Sequence, residues 1–288
     1  MPQKGWPQRN VHYWRHRVVP TIFQRTHGDT MEPVSEPPIA GNVRVTWIGH
    51  ASFFIQFAGH SVMIDPNWAR WHGPVKRIRE PGLTLKKVPE VDLVLVTHAH
   101  FDHLHKPTLK ILQAREGIVV PTGSRGLVNR LKFPAIYEMN IWDHLQFSEL
   151  EVIHTPSHHW GARFIHDTHR NYGGYIVRAG EKSIFHCGDS AYFDGFQEIG
   201  ERYPIDIALM PIGAYETPSG RDVHMNPEDA LRAFIDLKAK VLIPMHYATF
   251  PLGNEPHDEP LERLLMEADR LGISEQILIA EEGIGIEW

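Results

Sequence analysis

Three histidines and one aspartate fall within six residues at His98-Ala99-His100-Phe101-Asp102-His103, an H-x-H-x-D-H pattern. Neutral imidazole nitrogens and a carboxylate are donors suited to zinc and its neighbours. A loop can turn four such side chains toward one point, which a regular strand or helix cannot. The competing reading is a chance cluster, since the chain carries 20 histidines. A metal centre makes a further demand that chance does not: more donors at later strand ends. Three segments meet it: Thr155-Pro156-Ser157-His158-His159-Trp160, Gly188-Asp189, and Val241-Leu242-Ile243-Pro244-Met245-His246. Each donor stands just past a short apolar run. Spacing alone does not separate His158 from His159. A carboxylate such as Asp189 can bridge two cations about 3.5 Å apart. Cys187 would lie on the same side of a strand as Asp189. Thiolate ligation there competes with a small buried hydrophobe, the commoner fate of a lone cysteine, and we prefer the latter.

The elements around these residues must place them. Val91 to Val96 is a β-branched apolar run that reads as a buried strand leading into the H-x-H-x-D-H loop. Residues 43–48, 52–57 and 61–64 form a strand meander, with Ala58-Gly59-His60 as the last turn and Asp65-Pro66 ending the third strand. His50 lies at a strand end near this layer, in a pocket-lining or a structural role. A helix is expected over Pro107–Ala114, a strand at Ile118–Val120 and a second helix over Ser124–Leu131. Strands follow at 150–154, 172–178 and 182–187, then a helix at 192–200 and a strand at 205–210. Between the first two of these strands lies a polar loop, Arg163 to Asn171, whose His166 and His169 are set aside as ligands. His154 and His158 default to packing or supporting roles. Asn226-Pro227-Glu228-Asp229 is a strong helix start, with Asn as N-cap and acids in the first turn. His224, just before it, either gives a proton or hydrogen bond to substrate or caps and packs. A strand at 241–244, a helix from Asp258 to a stop at Gly272, and strands at 277–279 and 284–286 complete the chain.

Composition bounds the answer. The 288 residues are 42% hydrophobic, ample for a core, and a net charge of −6 argues against nucleic acid as partner. One cysteine permits no intramolecular disulfide. No run approaches the roughly 20 apolar residues of a membrane span, and no apolar leader is evident, so the expected location is cytoplasmic. Residues 1–40 read as an arm and 41–288 as the domain. The arm is basic and aromatic (Lys4, Arg9, Arg15, Arg17, Arg25 with Trp6, Tyr13, Trp14, Phe23). Such an arm wraps its own domain or a partner subunit of a homo-oligomer, or makes a peripheral membrane contact; wrapping is preferred. The connection 67–90 carries Arg70, Lys76, Arg77, Arg79, Lys86 and Lys87, either to attract an anionic substrate or as a solvated loop.

The ligand pattern, together with Thr46-Trp47-Ile48-Gly49-His50-Ala51, Asp65-Pro66, Gly188-Asp189-Ser190-Ala191-Tyr192, Pro211-Ile212-Gly213-Ala214-Tyr215-Glu216 and Met245-His246-Tyr247-Ala248-Thr249-Phe250, resembles the metallo-β-lactamase superfamily. The finer wording is similar to its branch containing N-acyl-phosphatidylethanolamine-hydrolysing phospholipase D. The resemblance spans roughly residues 44 to 250. It implies an α+β four-layer αββα sandwich with the site at one edge. It selects His159 over His158, and assigns His98, His100 and His159 to one metal, Asp102, His103 and His246 to the other, and Asp189 to both. It implies two zinc ions, with iron or manganese as substitutes. A water shared by two cations has its pKa lowered toward roughly 7, so no serine nucleophile is needed. Asp102, Asp189 and His224 are the expected catalytic residues, and His50 and Tyr215 the expected substrate contacts. The expected function is a phosphodiesterase of the phospholipase D type acting on a small or lipid anionic substrate. The alternative is a lactonase or β-lactam hydrolase on the same metals. A di-iron redox protein of the flavodiiron kind fits less well: that kind has Glu at the place of His100 and a flavin domain for which this chain has no room. The arm departs from the phospholipase branch in lacking a long amphipathic helix.

Overall fold

The computed structural model of the chain describes residues 6–57, 59–164 and 167–288, with side chains from residue 10 onward. Lys4 of the arm, Ala58 of the expected turn and the loop residue His166 lie outside the described residues. The arm is helical where the sequence suggested irregular chain: α1 (Trp6–Tyr13), a π-helical turn (Trp14–Val18) and α2 (Val19–Phe23). Pro20 sits in the first turn of α2, where its missing N–H is not needed, so a proline that reads as a breaker starts a helix instead. The arm lies on the rest of the chain. Tyr13 Oη donates to Pro251 O at 2.7 Å and Arg17 Nε to Asn254 O at 2.7 Å.

Among the described residues, fifteen strands follow. In chain order the first eight are β1 (Val43–Gly49), β2 (Ser52–Phe57), β3 (His60–Ile64), the short hairpin β4 (Trp71–His72) and β5 (Val75–Lys76), β6 (Val91–Leu95), β7 (Ala114–Pro121) and β8 (Ile136–Met139). Next come β9 (His144–Phe147), β10 (Leu150–Thr155), β11 (Gly174–Ala179), β12 (Lys182–His186), β13 (Ile207–Pro211), β14 (Val241–Met245) and β15 (Gly285–Glu287). One sheet has seven strands in the order β15-β1-β2-β3-β6-β7-β8, and the other six in the order β14-β13-β12-β11-β10-β9. Each begins as an antiparallel meander and continues in parallel: β3, β6, β7 and β8 in the first, β12, β13 and β14 in the second.

Alternation explains the layers. In β2, Phe53, Ile55 and Phe57 face the core between the sheets with Val152, Tyr175, Val177 and Ile184. Phe54 points the other way, to a second cluster with Ile48, Met63, Val94, Leu109 and Val128. A strand buried on both faces reads as one apolar run, which is why the meander was evident. Two short helices, α3 (Lys106–Leu109) and α4 (Arg125–Val128), contribute Leu109 and Val128 to that outer cluster. The second sheet is covered by α5 (Gly195–Arg202), α6 (Pro227–Leu237) and α7 (Glu259–Leu271). The result is the αββα sandwich of the metallo-β-lactamase fold.

Three boundaries differ from the sequence reading. The helix expected over 107–114 ends at Leu109, because Ala114 is already paired with Val91 as β7 joins the parallel sheet. The helix expected over 124–131 keeps only Arg125–Val128. Residues 277–279 make a single bridge, Leu242 to Ile277, rather than a strand. The helix start at Asn226 is as expected: its Oδ1 accepts from Asp229 N at 2.9 Å.

His154 on β10 is fully buried and stacked on Tyr175 at 5.1 Å. Burial lowers its pKa from 6.5 to about 4. Between those two values the unfolded chain takes up a proton that the folded one refuses. Stability from this group is therefore complete above about pH 6.5 and lost as pH falls toward 4, by up to about 3 kcal/mol. Urea titrations of His154→Leu should show a shallower loss of stability from pH 6.5 to 4 than the native protein; an unchanged slope would assign the acid sensitivity to other groups.

Candidate metal centre

The strand ends of both sheets meet at one edge, and the backbone there turns sharply. His50, Asp65 and His246 have φ of 56°, 45° and 62°, a left-handed conformation uncommon for residues other than glycine. These turns swing the side chains of His50, Asp65 and His246 back over the edge. His246 N is held by His50 O at 3.0 Å, and the same carbonyl accepts from Trp47 Nε1 at 2.8 Å.

Two groups of donors converge. In the first, His98 Nε2 and His159 Nε2 lie 2.9 and 3.3 Å from His100 Nδ1. Asp189 Oδ2 is 3.7 Å from His98 Nε2 and 3.8 Å from His159 Nε2. In the second, Asp102 Oδ2 is 3.8 Å from both His103 Nε2 and His246 Nε2. Asp189 faces this group too, with Oδ2 at 3.1 Å from His103 Nε2 and Oδ1 at 3.2 Å from His246 Nε2.

The outward-facing nitrogens settle which nitrogen carries the proton. His103 Nδ1 donates to Asp65 Oδ2 at 2.6 Å, and His159 Nδ1 donates to Val223 O at 2.9 Å. Thr97 Oγ1 gives its hydrogen to Asp65 Oδ2 at 2.5 Å, so it accepts from His98 Nδ1 at 3.0 Å. All three rings are thereby held with the Nε2 lone pair toward the centre, whereas His100 presents Nδ1. His103 Nε2, His246 Nε2 and Asp189 Oδ1 are buried with no hydrogen-bond partner. Lone pairs that converge without bonding one another fit a divalent cation, and the two groups together fit a pair.

The electrostatics point the same way. Burial, with neighbouring histidines adding to it, holds His98 and His159 well below the ordinary imidazole range. Burial would also lower His103, but Asp189, Asp65 and Asp102 raise it well above that range, and Asp189 with Asp102 raises His246 to about 9. Asp189, which burial would raise, is held well below the carboxylate range by His103 and His246. Two buried carboxylates, Asp65 and Asp189, with the partly exposed Asp102 beside them, demand positive charge at this point, and protons or a metal can supply it.

Other residues fall differently from the expectation. His50 is 1% exposed, and its Nε2 donates to Asp102 Oδ2 at 2.9 Å. It braces a donor from behind. Tyr215 is turned away from the site: the chain bends at Ala214 (φ 62°), and the hydroxyl donates to Glu259 Oε1 on α7 at 2.9 Å. His224 does reach the centre, buried beside His159 and His246, with Nδ1 at 4.0 Å from Asp189 Oδ2. Burial lowers its pKa to about 4. His158 is exposed next to buried His159, which separates the pair that spacing could not. Cys187 is buried, its thiol pushed up by burial.

Five basic side chains of the connection 67–90 are engaged away from the site. Arg77 is buried and donates to the carbonyls of Asn67, Ile48 and Arg79. Arg79 pairs with Glu282, Arg70 with Glu80, and Lys87 with Glu32. Lys76 donates to the carbonyls of Ile22 and Gln24 on the arm. Sequence reasoning missed Asp65, whose only signal was an aspartate ending a strand two positions into the apolar layer's edge. It also missed Arg163. Arg163, His72 and His224 line a cleft of about 440 Å³ with Asp102, Asp189 and His100, walled by Val75, Phe101, Trp160, Pro218 and Leu252.

Residues 60–247 match the family model described as the β-lactamase superfamily domain. The chain belongs to the β-lactamase superfamily. A metal-dependent hydrolase from Methanopyrus kandleri is 32% identical over 255 residues, covering 85% of this chain and all of that one (100%). The mitochondrial N-acyl-phosphatidylethanolamine-hydrolysing phospholipase D of Saccharomyces cerevisiae is 30% identical over 256 residues, 83% of this chain and 54% of the relative. Among solved structures, a metallo hydrolase from Ignicoccus hospitalis superposes with a TM-score of 0.66 at 24% identity, over 86% of this chain and 98% of that one, and shares the fold. This superfamily member is a metal-dependent hydrolase. No described helix is long and apolar enough to cross a membrane.

Asp65→Asn keeps the shape but weakens the acceptor for His103 Nδ1. Zinc retained after dialysis against a graded chelator should fall, with affinity reduced about 10- to 100-fold. Unchanged retention would mean that His103 is oriented without Asp65.

Proposed function

We propose that the chain is a dinuclear zinc hydrolase acting on phosphodiesters. His98, His100 and His159 would hold one cation, Asp102, His103 and His246 the other, and Asp189 both. The observation that carries this reading is Asp189, whose two oxygens face both donor groups at once. A histidine-rich donor set favours zinc. Bound there, two cations would supply Lewis-acid polarisation and a nucleophilic water at neutral pH.

The chain's own residues do the rest. Asn67 Nδ2 donates to Asp102 O at 2.6 Å and lies 2.8 Å from His72 Nε2, tying the ligand loop to the cleft wall. His224, neutral at pH 7, can hold a hydrogen bond to a substrate oxygen rather than deliver a proton. Phe101 and Trp160, each nearly half exposed at 45% and 49%, offer apolar surface for the substituents of a diester and exclude water around it. The likeness to N-acyl-phosphatidylethanolamine-hydrolysing relatives from yeast and Caenorhabditis elegans supports a phosphodiester over a carboxylic substrate.

Zinc-loaded protein should cleave bis-p-nitrophenyl phosphate, and a chelator should abolish it. Asp189→Asn should lower kcat/KM at least about 1,000-fold, as expected when a group central to charge stabilisation is lost, and lower metal content with it. Cleavage of a lactone or chromogenic β-lactam without diester cleavage would move the function to the carboxylic branch.

A further inference from the structure

The basic connection that the sequence offered as an anion attractor is committed elsewhere, which leaves the question of what reads substrate charge. Among the residues lining the cleft, Arg163 is the one lysine or arginine. Its Nη1 donates to Ala99 O at 2.8 Å and Leu104 O at 2.9 Å, two carbonyls that bracket the ligand loop. Its guanidinium lies over the Phe101 ring, 4.0 Å from the centroid. Two anchors and a stacking face fix the plane of the group, while Nε and Nη2 make no hydrogen bond among the described residues. Asp102 and Asp167 are near enough to act on it electrostatically, but neither forms an ion pair with it.

We infer that Arg163 is the specificity-determining residue that recognises the anionic oxygens of the substrate, through the Nε and Nη2 edge that its anchoring leaves free. This inference rests on the phosphodiesterase reading of the same site. The chemistry suits the task. A guanidinium offers its donors in a planar fork that matches two oxygens of a phosphoryl group. Held in place beforehand, it loses little side-chain freedom on binding. The metal donors alone would polarise a neutral carbonyl and a charged phosphodiester alike; a fixed cation at the cleft wall distinguishes them.

The test compares native protein with Arg163→Met, which keeps the stem, and Arg163→Lys, which keeps the charge. Each is assayed with bis-p-nitrophenyl phosphate, an anion, and p-nitrophenyl acetate, which is neutral. Inhibition by diphenyl phosphate, a monoanion, is measured on whichever substrate turns over, and zinc content is measured in parallel. For Arg163→Met, the ratio of kcat/KM for the diester over that for the acetate should fall about 10- to 100-fold. Inhibition by diphenyl phosphate should weaken by a similar factor, zinc content should stay at the native level, and Arg163→Lys should restore part of both. Equal losses on the two substrates, or inhibition that does not weaken, would overturn the inference. Loss of zinc in both variants would reduce Arg163 to a brace for the ligand loop and overturn it as well. If native protein leaves the diester intact but hydrolyses the acetate, the phosphodiesterase reading fails separately, and the inhibition series still decides the role of Arg163.

Discussion

Three carboxylates brought together, two buried and one partly exposed, set the terms for this molecule. Asp65 and Asp189 are buried, and Asp102 is partly exposed at the cleft, all at one sheet edge among imidazoles. Burying one carboxylate without a partner costs several kcal/mol. Here the arrangement is stable only if positive charge stands between them, which is why two of the histidines there are drawn toward protonation and the rest are held neutral. Much of the surrounding architecture serves this charge balance: Thr97 and His103 on Asp65, His50 behind Asp102, and Asn67 on the backbone of the ligand loop.

The sandwich supplies the geometry. Parallel strands deliver their ends to the same edge, so β6, β12 and β14 bring ligand-bearing loops to one place without any long excursion of chain. The left-handed turns at His50, Asp65 and His246 then reverse the side chains onto a common point. Those conformations are strained, and they persist where the neighbouring hydrogen bonds over-determine them. His50 shows how: its N–H donates to Thr249 Oγ1 at 2.8 Å, while its carbonyl accepts from both His246 N and Trp47 Nε1.

What the sequence made legible follows from what is local. The H-x-H-x-D-H loop, the central apolar strands of both sheets and the Asn226 cap are patterns within a few residues and were evident, whereas the edge strands β8 and β9, half-buried and without an apolar run, were not. The arm was not, because prolines that punctuate a chain can also begin helices. The fate of residues 110–113 was not, because a helical pattern gave way to pairing with a strand some twenty positions earlier. The partners of Tyr215 and of the basic connection were not legible for a related reason: a tyrosine or arginine announces its chemistry but not its partner. Glu259 and Glu282 lie far along the chain, and only the tertiary structure joins them. Asp65 was hidden by ordinary company, an aspartate before a proline at the end of a strand.

One feature of the centre bears on the whole chain. Its donors come from segments that belong to both sheets, between His98 and His246, in a protein whose single cysteine cannot form an internal disulfide. Cations held by these donor groups would act as a staple across the two halves of the sandwich. Closing so long a loop in the unfolded state is entropically unfavourable, and a ligand that recognises only the folded arrangement shifts the balance toward it. Metal bound there would do more than chemistry: it would fasten one sheet to the other, so that occupancy of the site and cohesion of the fold would rise and fall together.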